Sequence, residues 1–149
     1  MTPVFQTDYR VPGGNCFQAC VASIMELPLQ EVPHFLKDSD GGPWTQPQWN
    51  AVKEFAKQRD YEVCWLDPDI PDDVGNIEVL KQSGLHYVAT GCSPRTDNGH
   101  CVVGAGGVTV HDPMANVGGC PLVSDPWLYI FFLPSSDPES QKNCVVKNL

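Results

Sequence analysis

The chain has 149 residues, 42% of them apolar, and a formal net charge of −9 from 18 acidic and 9 basic side chains. That length is about one domain with an ordinary core, and the apolar share excludes wholesale disorder. An acid excess without a Lys/Arg cluster excludes nucleic acid and anionic membrane surfaces as natural partners, since both bind through positive charge.

Met1 to Arg10 lacks the apolar stretch of an export signal, and the longest apolar run, Trp127 to Leu133, is strand-sized and too short to span a bilayer. A cytoplasmic protein with no membrane partner is therefore expected. Seven cysteines, Cys16, Cys20, Cys64, Cys92, Cys101, Cys120 and Cys144, form an odd set in a chain without a leader. That argues against a disulfide framework. Most read as reduced and buried, in the manner of small apolar residues. Cys16 and Cys20 make one close pair, but no second pair exists, so neither a metal nor another cofactor is expected.

Residues 1–14 read as extended, ending in the Pro12-Gly13-Gly14 turn. Helical spacing then begins, with Phe17, Cys20, Val21 and Ile24 on one stripe. Asn15 is a favoured N-cap type whose side chain would accept from a first-turn amide. Cys16 becomes the first helical residue, and Pro28 closes the helix. Leu29, Val32 and Leu36 suggest a short second helix limited by Pro33. Thr45 and Gln48 have capping-box spacing for a third helix that buries Trp49, Val52 and Ala56. Beyond Asp60 the pattern favours strands at 61–66, 85–91, 100–103, 108–112 and 127–133, with a short helix within 72–82. Arg95 to Gly99 is a polar turn whose Asn98-Gly99 pair is a strong reversal signal. Ser135 to Leu149 lacks periodicity and reads as a mobile tail. Helices first and strands second imply an α+β domain over 1–134, its N-terminal helices packed on an antiparallel sheet, followed by a tail at 135–149.

A thiol at a helix N-terminus has a chemical rationale. Unpaired amides there carry partial positive charge, which favours the nucleophilic thiolate. The same amides can hold an oxyanion formed on an attacked carbonyl, and Gly13 and Gly14 would leave room for a substrate. The plain alternative is packing, which suits Cys20 on the apolar stripe better than Cys16 at the helix entrance.

A nucleophilic thiol needs a base, and the histidines are His34, His86, His100 and His111. His100 opens a strand that turns back through a Gly-rich hairpin to His111-Asp112-Pro113. With the turn centred on Gly106, residue 100 lies opposite Asp112, which would orient the imidazole, while His111 points to the other face. A one-residue shift would pair His100 with His111 instead, and a surface His–Asp pair is the non-catalytic alternative. Gln6 is a candidate second donor to an oxyanion, against the reading of an ordinary exposed glutamine. Trp44, Trp49, Trp65 and Trp127 would suit a partner or ligand, but at these spacings they read more readily as core.

Three stretches resemble the papain-like cysteine peptidase superfamily, nearest its bacteriocin-leader-processing branch. They are Asn15-Cys16-Phe17-Gln18-Ala19-Cys20, Gly99-His100-Cys101-Val102-Val103, and His111-Asp112-Pro113. The likeness covers roughly residues 1–134. It implies a papain-like fold with Cys16 as nucleophile, His100 as base and acid, Asp112 as orienting carboxylate and Gln6 as oxyanion donor. Gln6 stands farther from Cys16 than in that branch, Asn15 replaces its Asp, and Phe17 its Gly. No transporter segment is present, so leader processing does not carry over. The start is also similar to that of short leaderless proteins of bacteria and phages, which would place the chain in a bacterial or host cytoplasm.

The expected function is a thiol hydrolase acting on an amide bond in a peptide, an isopeptide junction or a small amide. Acyl transfer through the same thioester and a non-catalytic binding module for a protein or small ligand are the alternatives. A redox or metal module at Cys16 and Cys20 ranks last.

Overall fold

A computed structural model describes residues 1–93, 98–114, 122 and 125–136. The Arg95–Gly99 turn lies mostly outside the described residues, as do much of the 113–126 loop and all of the tail beyond residue 136.

The elements run α1 (Cys16–Met25), a 3-10 turn (Leu29–Glu31), α2 (Gln46–Lys57), β1 (Tyr61–Leu66), α3 (Pro71–Gln82), β2 (Tyr87–Cys92), β3 (Gly99–Ala105), β4 (Val108–His111) and β5 (Leu128–Pro134). The architecture is α+β. The strands form one antiparallel sheet in the order β1-β5-β2-β3-β4. Among the described residues no helix is long and apolar enough to cross a membrane.

Two expectations about helices need correction. Only a 3-10 turn forms where a second helix was expected, because Val32 before Pro33 takes an extended backbone, φ −100 and ψ 126. The helix within 72–82 is a full element of 12 residues with Pro71 in its first turn, so the helices are not confined to the N-terminal half. At α2 the capping box forms as read: the Gln48 amide donates to Thr45 Oγ1, and the Thr45 amide donates to Gln48 Oε1 at 2.8 Å.

Strand alternation assigns the two faces of the sheet. Val88, Cys101, Val103, Ile130 and Phe132 pack with α1 and α2, while Ala89, Val102, Phe131 and Leu133 pack with Ile77 and Leu80 of α3. Helices thus cover both faces, which explains why Tyr129 to Leu133 is apolar without alternation. β5 inserts between β1 and β2 and is buried from Tyr129 to Leu133.

The β3–β4 hairpin turns at Gly106 and Gly107, both with positive φ (58° and 82°), as a two-residue turn with that hand requires. Ala105 pairs with Val108 and Gly104 with Thr109, but a bulge then shifts the register so that Val103 pairs with His111. The tyrosine on the neighbouring strand constrains this hairpin as well. Tyr87 pairs with Gly104, and a Cβ on Gly104 would overlap the buried Tyr87 ring.

Gly104→Ala should therefore destabilise the fold by about 1–3 kcal/mol, the usual cost of overpacking, and lower the melting temperature by several degrees in a thermal scan followed by circular dichroism. An unchanged melting temperature would show that Tyr87 yields freely.

Candidate active site

Cys16 opens α1, and the backbone in front of it is shaped by close packing. Gly13 has φ +92, and a Cβ there would stand 3.1 Å from the Lys37 carbonyl. A Cβ on Gly14 would stand 2.7 Å from the Arg10 carbonyl and 3.0 Å from that of Asp8. Both glycines line the cavity beside Cys16, but the space freed at these two positions is occupied by the chain's own backbone. Close packing against the backbone is thus a reason for glycine at both positions besides the expected room for a substrate.

Asn15 departs from its expected role. It sits at the N-cap, yet its side chain makes no capping bond. Its Oδ1 instead accepts from the amides of Thr7 (2.9 Å) and Asp8 (2.8 Å), and its Nδ2 donates to Gln18 Oε1 at 3.1 Å. Gln18 continues the chain by donating to the carbonyls of Leu29 and Val32 at 3.0 and 2.6 Å. Asn15 and Gln18 are both buried, so this network fastens the N-terminal segment to α1. The consequence is electrostatic: the Asn15 side chain is not spent on capping α1, whose N-terminal end carries partial positive charge at Cys16.

The same segment is tied down elsewhere. His111 Nε2 donates to the Val4 carbonyl at 2.9 Å, and Phe5 lies edge-on to the His111 ring. The Gln6 amide donates to the Pro113 carbonyl at 2.7 Å, and the Val4 amide to Ser23 Oγ at 2.9 Å. These bonds bring Gln6 to the cavity that Cys16 lines. It is buried, at 7% exposure, rather than an exposed polar residue. Its Nε2 makes a long bond of 3.3 Å to the Asp8 carbonyl, and its Oε1 is buried without a partner among the described residues.

His100 and Asp112 meet. Nε2 of His100 lies 2.8 Å from Asp112 Oδ1, with both residues buried. The Met114 amide donates to the same oxygen at 2.9 Å. The expected register was off, however. Continued one step past the last pair, the β3–β4 ladder sets Asp112 opposite Val102, so Asp112 reaches His100 diagonally. The bulge is what permits this. Without it Asp112 would fall opposite Cys101, on the other face from His100. With Nε2 committed to Asp112, Nδ1 is the ring nitrogen left for a thiol.

Cys16 and His100 shift one another. Hydrogen bonding from the Cys101 thiol is the largest influence on Cys16; burial opposes it, and the hydrogen bond and charge of His100 add to it, leaving the thiol well below its ordinary pKa. Burial pulls His100 down, but hydrogen bonding to Asp112 and Cys16, with the charges of both, outweighs it and raises the ring to about 9. Both shifts favour the charged forms, thiolate at Cys16 and imidazolium at His100. Cys101 moves the opposite way, well up, because it hydrogen-bonds to Cys16 and is buried. Burial also raises Cys20, which lies within the core.

Sequence reasoning gave Cys101 no role of its own. Its Sγ stands 3.5 Å from Thr90 Oγ1, the residue paired with it on β2. Strand alternation sets Cys101 on the face opposite His100, so spacing gave no signal that both side chains reach Cys16. His34 lies 3.6 Å from Asp8 Oδ2, and Asp8 is held well below the usual carboxylate range by its hydrogen bonds with Arg10. Neither His34, His86 nor His111 lines the Cys16 cavity. Among the described residues no three His, Cys, Asp or Glu side chains are grouped to hold a metal. Phe17 packs inward against Phe35 and Trp44.

Asn15→Ala should free the N-terminal segment. It removes the side-chain acceptor of two part-buried backbone hydrogen bonds, each worth about 0.5–1.5 kcal/mol, so the amides of Thr7 and Asp8 should exchange hydrogen faster while those within α1 stay protected. Unchanged exchange at Thr7 and Asp8 would contradict the strap.

Comparison of the chain with protein-family models, curated proteins and solved structures finds no match.

Proposed function

We propose that the chain is a papain-like thiol hydrolase that cleaves an amide bond through Cys16, His100 and Asp112. The observation that carries the reading is the convergence of those three side chains from α1, β3 and the end of β4, with the His100–Asp112 bond at 2.8 Å. The uncapped first turn of α1 beside the thiol supports it further.

In this reading the Cys16 thiolate attacks the carbonyl carbon. A C–S bond forms, and the π electron pair moves to oxygen. The developing oxyanion is stabilised by the first-turn amides of α1, with Gln6 Nε2 as a second donor once it turns from the Asp8 carbonyl. Collapse breaks the C–N bond, and the His100 imidazolium gives its proton to the departing amine. The product is a thioester on Cys16. Neutral His100 then takes a proton from water as the water attacks the thioester. Collapse of this second tetrahedral intermediate breaks the C–S bond, the acid leaves, and the thiolate–imidazolium pair is restored. Asp112 holds the ring with Nδ1 toward the sulfur and stabilises its positive charge. An amine in place of water would give acyl transfer with the same groups, and analysis of the product separates the two.

The test is selective alkylation followed by peptide mapping. At about pH 6.5, roughly two units below the ordinary thiol value, iodoacetamide should label Cys16 ahead of Cys20, Cys64, Cys92 and Cys101. His100→Ala should move that labelling up toward the ordinary thiol range. Turnover of a cleavable amide should be level through neutral pH and fall as pH rises through about 9, where His100 loses the proton it must donate. Cys16 labelling no faster than the half-buried Cys92 would overturn the reading.

A further inference from the structure

Three indoles stand side by side along the cavity that Cys16 lines. The ring centres of Trp44 and Trp49 are 4.4 Å apart, and Trp49 stacks on Trp65 at 4.5 Å with 20° between planes. Phe17, next in sequence to Cys16, sets its ring edge-on to Trp44 at 4.6 Å. The row therefore begins one residue from the nucleophile. Trp49 is buried between its neighbours, while Trp44 and Trp65 are only half-buried, and all three line the cavity. The space beside them is about 830 Å3, within the range of sites that enclose a whole small ligand.

The charges on this wall select as well. Arg10 Nε binds both oxygens of the Asp8 carboxylate at 2.9 Å, so it is already neutralised. Asp67 adds a negative charge to the lining, and the chain as a whole carries −9. His100 in the lining is already engaged by Asp112, and Lys53, whose Nζ stands 4.5 Å from the Trp65 ring centre, is not among the lining residues, so a second carboxylate in this space would meet no free cation among the described lining residues.

We infer that the Trp44–Trp49–Trp65 row is the specificity surface of the site, and that the preferred substrate is an amide bearing a large flat aromatic or long apolar group and no negative charge. The inference rests on the thiol hydrolase reading and extends it to a substrate class. Indole faces reward planar and apolar surface, and water displaced from half-exposed indoles returns to bulk on binding.

Three iodoacetamides sharing one warhead test it on the full chain: N-methyl, N-naphthylmethyl, and N-naphthylmethyl carrying a carboxylate. Labelling rates are read at Cys16 and, as the chemical reference, at Cys92. The naphthylmethyl probe should exceed the methyl probe at Cys16 by about tenfold or more, as stacking of this kind supplies, with saturation and with no such preference at Cys92. The added carboxylate should remove most of that gain. Trp44→Ala and Trp65→Ala should each pull the Cys16 ratio toward one. Should either variant fail to fold, the wild-type ratios alone decide. Equal rates for the methyl and naphthylmethyl probes, with Cys16 still the fastest thiol, would overturn the specificity surface and leave the nucleophile standing. Cys16 no faster than Cys92 with any probe would overturn the nucleophile and this inference together.

Discussion

One pairing organises the proposed site: the Cys16 thiol on the first residue of α1 and the His100 imidazole on β3, each shifted toward its charged form by the other. Each charge alone would be costly where it lies, since burial disfavours both the anion at Cys16 and the cation at His100. Together, with Cys101 donating to the sulfur and Asp112 accepting from the ring, they hold one another in the charged form. In the proposed hydrolase this balance would supply an ionised nucleophile and, on the neighbouring ring, the proton that the leaving group needs.

Much of the surrounding structure serves to keep that pair in register. The N-terminal segment crosses the base of α1 and is fastened at Val4, Gln6, Thr7 and Asp8 by His111, Pro113 and Asn15. Spending the Asn15 side chain on this strap leaves the helix uncapped, at a usual cost of about 1 kcal/mol. In the proposed reaction the uncapped first turn would offer its amides to the oxyanion. On the other side, the bulge between Val103 and Gly104 turns Asp112 onto the face of His100. Stability conceded at a cap and at a bulge is the kind of local departure from good structural grammar that functional sites show.

The sequence made the site legible wherever a side chain's chemistry and its local period agreed. Cys16 at a glycine-led helix start, the capping box at Thr45, and the strands around His100 and His111 all fall in this class. The His100–Asp112 contact was read correctly in outcome through a register that was wrong in detail. The turn lies half a residue later than expected and the bulge adds another residue, two shifts that restore the same face. Periodicity cannot register a bulge, because it depends on cross-strand hydrogen bonds and not on apolar spacing. Asn15 illustrates a different limit. Its side chain has two good uses, cap and strap, and only the position of a segment seven or eight residues upstream decides between them. The tryptophans show a third: spacing that suits a core suits a cavity wall equally well, and Trp44 and Trp65 differ from core residues only in what fails to cover them.

The central claim is most directly tested by the thiolate absorbance near 240 nm, followed against pH as the difference between the wild-type chain and Cys16→Ala. A thiolate–imidazolium pair predicts a full thiolate signal already present at neutral pH, titrating well below the ordinary thiol value of about 8.5 and vanishing when the protein is unfolded at that pH. A difference spectrum that is empty at neutral pH and rises only near the ordinary thiol value would contradict the account.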